Sequence, residues 1–101
     1  MRAKQTFLNA IWTDNWKESY VGLSPDRQRS CDDAAIAVIK QEFTHGLRVK
    51  PIQPEKYYFE ARINSGDRII FRVESGTVFF IDVVKHDDIS RYGRRPRKVG
   101  P

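Results

Sequence analysis

The residues best suited to chemistry lie near the C-terminal end of the chain. His86, Asp87 and Asp88 form a short polar segment, and Tyr92 follows the histidine six positions later. Three arginines interrupt the apolar segments upstream: Arg62, Arg68 and Arg72. An imidazole exchanges protons near neutral pH, and a guanidinium binds two phosphate oxygens at once. These residue types indicate proton transfer beside a bound phosphate, and the alternative is a well-solvated face of a sheet.

The arginines lie in segments that alternate between apolar and polar residues, which predicts strands. We expect the apolar residues of two strands to share one face: Phe59, Ala61 and Ile63 with Ile69, Phe71 and Val73. That arrangement requires the residue numbers of each cross-strand pair to add up to an even number. It also requires a loop of about three residues between Asn64 and Asp67, with Gly66 at positive φ. The same register places Arg62 beside Arg68, and two like charges side by side cost energy unless an anion lies between them.

A third strand and an N-terminal strand complete the predicted sheet. Ser75-Gly76 marks a second tight turn, and the apolar run TVFFIDVV after it is typical of a central strand. The run Thr6–Trp12 suits a strand at the other end of the chain. The segment from Lys85 to Tyr92 is expected to leave the sheet.

Two helices are predicted between the first strand and the meander. Thr13-Asp14 begins a helix of about two turns. Ser24 caps a second, with Pro25 in its first turn, and this helix is expected to run to about Phe43. Its apolar stripe contains Cys31, Ala35, Ile36, Val38, Ile39 and Phe43. Gly46 is expected to be its left-handed C-terminal cap.

These elements predict a small single α+β domain, in which an N-terminal strand and two helices pack on an antiparallel β-meander. One helical layer would leave the opposite face of the sheet open to solvent or a partner. The formal charge of +5 and pI near 9.6 favour polyanionic partners. A lone cysteine excludes an internal disulfide and a cysteine-based zinc site, and His45 is the only histidine besides His86, so we expect no metal site.

No apolar run in the sequence approaches the length of a membrane span, and the first residues lack the apolar core of a signal peptide. We therefore expect a cytoplasmic protein without a membrane partner. The C-terminal residues 93–101 are basic and contain Gly93, Pro96 and Gly100, which predicts a flexible tail after a domain spanning residues 1–92.

From about Thr6 to Tyr92, the order strand–helix–helix–three strands resembles the RelE/ParE superfamily of bacterial toxins. The turn NSGDR before IIFRVE and the closing VVKHDDISRY carry most of the resemblance. For the RelE-like branch it implies a toxin of a type II toxin–antitoxin system that cleaves mRNA, usually in the ribosomal A site. It further implies acid–base catalysis without a metal or cofactor, inhibition of translation, and a cognate antitoxin as partner.

The resemblance also implies roles for individual residues. The arginine that ends the first turn of the meander matches Arg68, the histidine after the last strand matches His86, and the tyrosine six positions later matches Tyr92. Some members use lysines or a glutamate upstream, where this chain has Lys50, Lys56 and Glu60. Tyr92 could stack on a base, or transfer a proton if its pKa were lowered. The further cations expected to contact RNA or phosphate are Arg62, Lys50, Lys56, Lys85, Arg91, Arg94 and Arg95.

Three alternatives remain open at this point. The arginines could pair with Glu60, Asp67 and Glu74 on a solvated face. The chain could be a ParE-like inhibitor of DNA gyrase, which needs no catalytic histidine. It could also be a relative that binds RNA or a partner without cleavage. For the RelE-like nuclease, the gyrase inhibitor and the non-cleaving relative alike, an antitoxin is expected to lay an acidic or amphipathic segment over the basic face, and the oligomeric state stays open.

Overall fold

The computed structural model describes residues 7–96, which form one α+β domain. Its five strands are β1 (Asn9–Trp12), β2 (Lys50–Pro51), β3 (Phe59–Arg62), β4 (Asp67–Glu74) and β5 (Thr77–Lys85). The helices are α1 (Asp14–Val21) and α2 (Pro25–Ile39), with two 3₁₀ helices at His45–Leu47 and His86–Tyr92. The latter is called the C-terminal 3₁₀ helix below. The sheet order is β1-β5-β4-β3-β2, with β1 parallel to β5 and the other pairs antiparallel. The predicted fold class is confirmed.

Both predicted helix starts are confirmed. The hydroxyl of Thr13 accepts a hydrogen bond of 3.2 Å from the main-chain nitrogen of Trp16 at the start of α1. The hydroxyl of Ser24 accepts one of 3.4 Å from the nitrogen of Arg27, and Pro25 opens α2. These side chains satisfy main-chain donors that have no partner within the helix. Of the predicted first strand, Asn9–Trp12 is a strand, whereas Thr6 lies outside the described residues.

The predicted end of α2 was wrong. The helix ends at Ile39, and Gln41 takes the left-handed conformation expected of Gly46, with φ of 59°. The nitrogens of Gln41 and Glu42 bond to the carbonyls of Val38 and Ala37 at 3.0 and 2.9 Å, which is the Schellman arrangement. Gly46 lies instead in the first 3₁₀ helix. Because the chain leaves the helix early, Phe43 is 48% exposed and does not continue the buried stripe.

The residues that form the buried stripe of α2 also differ in part from those predicted. Cys31, Ala34, Ala35 and Val38 pack into the core, whereas Ile36 is 49% exposed. The main core lies between this stripe, Trp16 of α1 and the apolar face of the sheet, where Phe71 and Phe80 are almost completely buried. No helix within residues 7–96 is long and apolar enough to cross a membrane.

The register of the meander is confirmed. Arg62 pairs with Arg68 and Phe59 with Phe71, so the residue numbers of each pair add up to an even number, as expected. Gly66, however, does not have positive φ. The side-chain oxygen of Asn64 instead accepts hydrogen bonds from the nitrogens of Gly66 and Asp67 at 2.9 and 2.8 Å, which closes the turn without a left-handed residue. The second turn is as predicted, with φ of 50° at Ser75 and 76° at Gly76.

The face of the sheet opposite the helices was expected to be open, and this expectation was wrong in part. Ile52, Tyr58, Ile70 and Val84 form a second buried cluster there. Tyr57, Ile81, Ile89 and Tyr92 pack against it. The connector after β2 and the C-terminal 3₁₀ helix therefore each fold over this face. Each contributes apolar side chains to the second cluster rather than to the main core. Part of this face stays accessible as a concavity near Tyr57.

Candidate functional site

Arg68 lies at the start of β4 and is tied into the turn that precedes it. Its Nη1 donates to the carbonyls of Asn64 at 2.7 Å and Asp67 at 3.0 Å. Its Nε lies 3.7 Å from Oε1 of Glu60, and its side chain is 12% exposed. Nη1 therefore holds the turn, while Nε faces the carboxylate of Glu60.

Charges of both signs surround Arg68. Burial and the neighbouring charges of Arg62 and Arg48 lower the pKa of Arg68, whereas the carboxylate of Glu60 raises it. The predicted pairing of Arg62 with Arg68 is confirmed by the register of β3 and β4. Arg48 was not predicted as a site residue. It follows the first 3₁₀ helix with φ of 46°, a conformation that its residue type does not signal. We call Arg48, Arg62 and Arg68 the arginine cluster.

Two of the three ion pairs expected for a solvated face are formed. Arg68 faces Glu60 as described, and Nη2 of Arg72 lies 3.5 Å from Glu74. Asp67 pairs instead with Arg27 of α2, through bonds of 2.8 and 3.0 Å. The partnership with Arg27 lowers the pKa of Asp67 to about 2. Because Asp67 is buried and engaged elsewhere, the arginine cluster has Glu60 as its close carboxylate.

His86 reaches the same turn from β5. It begins the C-terminal 3₁₀ helix, and its main-chain nitrogen donates to the carbonyl of Gly66 at 2.9 Å. The imidazole is 61% exposed, and its Nδ1 lies 3.5 Å from Oδ1 of Asp87. Lys85, just before it, lies opposite Asp67 in the sheet and 3.4 Å from its carboxylate. The structure thus holds the main chain of His86 at the turn that Arg68 closes, with the imidazole accessible.

Tyr92 is placed differently from a proton-transfer group. Its hydroxyl donates a hydrogen bond to the buried carboxylate of Asp82 and accepts one of 3.4 Å from Asn15. Burial and the bond to Asp82 raise the pKa of Tyr92 to about 12. Its ring meets Tyr58 edge-on, with centroids 5.6 Å apart. A phenol in this environment keeps its proton at neutral pH, so Tyr92 suits positioning of the C-terminal 3₁₀ helix better than catalysis.

The other predicted cations fall into two groups. Lys50 lies opposite Glu60 at the β2 edge, whereas Lys85 pairs with Asp67, which bonds Arg27 of α2. Lys56 is exposed, with φ of 58°. Arg91 and Arg95 lie toward the rings of Tyr92 and Tyr57, and Nη1 of Arg94 lies 3.4 Å from the carboxylate of Glu55. The guanidinium carbon of Arg91 is 5.9 Å from the centroid of Tyr92, and that of Arg95 is 5.0 Å from Tyr57.

The first residues after the C-terminal 3₁₀ helix contact the connector before β3. The main-chain nitrogen of Glu55 donates to the carbonyl of Gly93 at 3.0 Å, and the carboxylate of Glu55 accepts from the nitrogen of Arg95 at 2.8 Å. A Cβ at position 93 would lie 2.5 Å from the carbonyl oxygen of Gln53, so this contact requires glycine. The remainder of the predicted tail, residues 97–101, lies outside the described residues.

Metal ligands are not assembled in the part of the chain that the structure describes. No three side chains of histidine, cysteine, aspartate or glutamate come together there in a way that could hold an ion. The segment His86–Asp88, which has the residue types of a metal site, is exposed.

Solved structures with the same architecture decide the fold family. A chain of the toxin–antitoxin complex RelBE2 from Mycobacterium tuberculosis superposes with a TM-score of 0.65 at 19% identity, covering 80% of this chain and 100% of that one. YafQ from E. coli gives 0.68 at 12% identity, covering 81% and 97%. The YoeB/ParE toxin from Agrobacterium tumefaciens gives 0.66 at 16% identity, covering 78% and 99%.

The chain has the RelE/ParE toxin fold. The resemblance predicted from the sequence is thereby confirmed for the fold. No protein-family model matches the chain, and no curated protein matches it in sequence. At identities of 19% and below, the RelE/ParE likeness describes the arrangement of the chain.

Proposed function

We propose that this protein is the toxin of a type II toxin–antitoxin system and acts in the cytoplasm as an endoribonuclease that cleaves mRNA and inhibits translation. The observation that supports this most is the meeting of His86 and Arg68 at one turn. The main chain of His86, whose imidazole is exposed, bonds to this turn, and the largely buried guanidinium of Arg68 bonds to the same turn beside the charges of Arg48 and Arg62. These residues supply a proton-transfer group and a cation for the phosphate, two of the parts that cleavage of RNA by acid–base catalysis requires.

In the proposed reaction, the 2′-oxygen of one ribose attacks the adjacent phosphorus and the bond to the 5′-oxygen breaks. The products are a 2′,3′-cyclic phosphate and a 5′-hydroxyl. The 2′-hydroxyl loses a proton and the 5′-oxygen gains one. His86 is assigned one of these two transfers, because an imidazole is the side chain that most often serves as a general acid or base, and solvent water is assigned the other. Arg68 and Arg62 bind the non-bridging oxygens and stabilise the charge that develops on them.

Glu60 is proposed to position Arg68 rather than to move a proton. Its carboxylate lies 3.7 Å from Nε of Arg68, and the residue is only 7% exposed. A carboxylate at this depth is poorly accessible to a ribose hydroxyl. The Glu60 carboxylate does offset part of the repulsion within the arginine cluster, and it fixes the orientation of the Arg68 guanidinium. Ribosome association, with mRNA presented in the A site, is part of the proposal through the family resemblance.

An antitoxin is the proposed protein partner. Two of the similar structures are described as toxin–antitoxin complexes, RelBE2 and DinJ–YafQ. On this chain, the arginine cluster offers a positive surface with Glu60 as its close counter-charge. A segment carrying carboxylates would relieve that repulsion and cover the site at the same time.

Induced expression in bacteria tests the proposal. The wild-type protein is expected to arrest growth and to produce cleaved mRNA, and His86→Ala and Arg68→Ala are expected to lose both effects. Asp88→Ala and Arg29→Ala are matched controls that should stay toxic, because Asp88 and Arg29 are exposed and lie outside the proposed site. Continued growth arrest with intact mRNA in both His86→Ala and Arg68→Ala would refute the proposal.

A non-catalytic binding function on the same fold is the second candidate. It is favoured by the engagement of Arg68 with the turn carbonyls and of Tyr92 with Asp82, since both arrangements also serve stability alone. A gyrase supercoiling assay with purified protein separates the two: inhibition without RNA cleavage, unchanged in His86→Ala, would favour this candidate.

A further inference from the structure

A second concavity lies on the same face of the sheet, away from His86. It has a volume of about 190 Å³ and is lined by Tyr57, Tyr58, Arg72, Glu74, Phe79 and Ile81. Three of these six side chains are aromatic, and two carry opposite charges. We call it the tyrosine pocket. Aromatic walls with a few fixed polar groups are typical of sites for flat ligands.

The polar groups of the tyrosine pocket are held in place before any ligand arrives. Nη1 of Arg72 donates to the carbonyl of Tyr57 at 3.1 Å, and its guanidinium carbon lies 3.8 Å from the centroid of the same ring. Nη2 of Arg72 lies 3.5 Å from Oε2 of Glu74, whose side chain is 59% exposed. The pocket thus presents fixed donors beside an accessible acceptor, which lowers the entropy cost of binding a ligand with the complementary pattern.

We propose that the tyrosine pocket binds a nucleobase of single-stranded RNA, and guanine in preference to the other bases. Every base can stack on the ring of Phe79, whereas the ring of Tyr57 already has the guanidinium of Arg72 over it. Guanine alone combines the O6 acceptor, which suits Arg72, with two neighbouring donors, N1–H and N2–H₂, which suit both oxygens of Glu74. Adenine lacks O6, and the pyrimidines offer less area for stacking and cannot donate two hydrogen bonds side by side to one carboxylate.

The position of the pocket fits a nucleotide near the scissile phosphate, so this inference rests on the proposed function. Arg72 and Arg68 lie four residues apart on one face of β4, which corresponds to about 13 Å along the strand. Arg95, whose guanidinium lies 5.0 Å from the centroid of Tyr57, supplies a cation for a flanking phosphate. One RNA strand could therefore occupy both sites, and cleavage would then occur at a fixed spacing from guanine.

The test is a titration of ¹⁵N-labelled protein with GMP, AMP, CMP and UMP, followed by NMR. Because all four carry the same phosphate, differences among them report the base. GMP is expected to bind tightest and to shift the resonances of Tyr57, Arg72 and Phe79. Glu74→Gln and Arg72→Lys should each weaken GMP binding about tenfold and reduce its preference over AMP. Glu18→Gln, a change of the same kind at an exposed position on α1, should leave both unchanged.

The outcomes separate this inference from the nuclease proposal. His86→Ala should bind GMP like the wild type, because the imidazole is not part of the pocket. GMP binding in a protein that cleaves no RNA would sustain the pocket while the nuclease proposal fails. Cleavage without any shift at Tyr57, Arg72 or Phe79, or equal affinity for all four nucleotides, would overturn the pocket and leave the nuclease proposal standing.

Discussion

The main-chain nitrogen of His86 donates a 2.9 Å hydrogen bond to the carbonyl oxygen of Gly66. β4 and β5 are antiparallel, so the end of β5 lies beside the start of β4, where Asp67 pairs with Lys85. The bond extends this pairing past the last strand residue. It holds the histidine at the turn whose carbonyls bind Arg68. The two residues given the main chemical roles are therefore brought together by the register of one strand pair.

The first prediction concerns the role of Arg68 in stabilising the turn. Arg68→Ala is expected to lower the free energy of unfolding by about 1–3 kcal/mol, because turn carbonyls lose a charged donor and the buried Glu60 loses its cation. Urea denaturation measures this. Arg29→Ala, which removes an exposed ion pair with Asp26, should change it by less than about 0.5 kcal/mol. Equal stability of the two variants would show that Arg68 does not hold the turn.

The second prediction is a pH dependence centred on Asp67. Its folded pKa of about 2 lies below the ordinary 3.8, because Arg27 stabilises the carboxylate. Because the folded state favours the ionised carboxylate, Asp67 stabilises the fold at pH values above its unfolded pKa. This stabilisation is lost as pH falls through the folded pKa. The stability difference between wild type and Asp67→Asn should therefore be constant above about pH 5 and shrink between about pH 4 and pH 2. A difference that is independent of pH over this range would contradict the pairing.

The third prediction concerns the link between Tyr92 and Asp82. Tyr92→Phe should cost about 1–3 kcal/mol, because a buried carboxylate loses a hydrogen-bond donor. The raised folded pKa of Tyr92, about 12, favours its neutral form. Its contribution is then fully present below the ordinary pKa of 10.0 and is lost as pH rises toward 12. Chemical denaturation at several pH values measures the loss of stability and its pH dependence. If Tyr92→Phe is as stable as the wild type at neutral pH, the hydrogen bond to Asp82 does not stabilise the fold.

The fourth prediction concerns the arginine cluster as a phosphate site. With a non-cleavable 2′-deoxy oligonucleotide, binding should weaken as salt rises, and Arg62→Ala and Arg48→Ala should each reduce the slope of log K against log salt by about 0.7–1. Arg29→Ala should leave the slope unchanged, since this residue lies on the outer side of α2. A slope that is the same in all four proteins would place the phosphates elsewhere.

Much of the frame follows from local sequence signals. Alternation fixes which residues of β3 and β4 share a face, and so it places Arg62 opposite Arg68. Thr13 and Ser24 mark helix starts because capping is a local interaction. The end of α2 was not predictable in the same way, since Gln41 takes a left-handed conformation that residue type favours only for glycine or asparagine.

The finer parts of the site depend on contacts between distant segments. Asp67 finds Arg27 forty positions away, so it is not available to Arg68. Tyr92 reaches Asp82 only because the C-terminal 3₁₀ helix folds back over the sheet. Arg48 joins the cluster through a backbone conformation after a short 3₁₀ helix. Residue types alone indicate which groups could bind phosphate, whereas packing decides which of them are already engaged.

The most direct measurement is RNA cleavage by purified protein on mRNA bound to ribosomes, with mapping of the new ends. The wild type and Asp88→Ala should produce discrete cuts that carry 5′-hydroxyl and 2′,3′-cyclic phosphate ends. His86→Ala should be slower by about 10²–10⁴-fold while folding normally, because it lacks the proton-transfer group. Cleavage by His86→Ala at the wild-type rate, or intact mRNA with the wild-type protein, would contradict the assignment of this site to RNA cleavage.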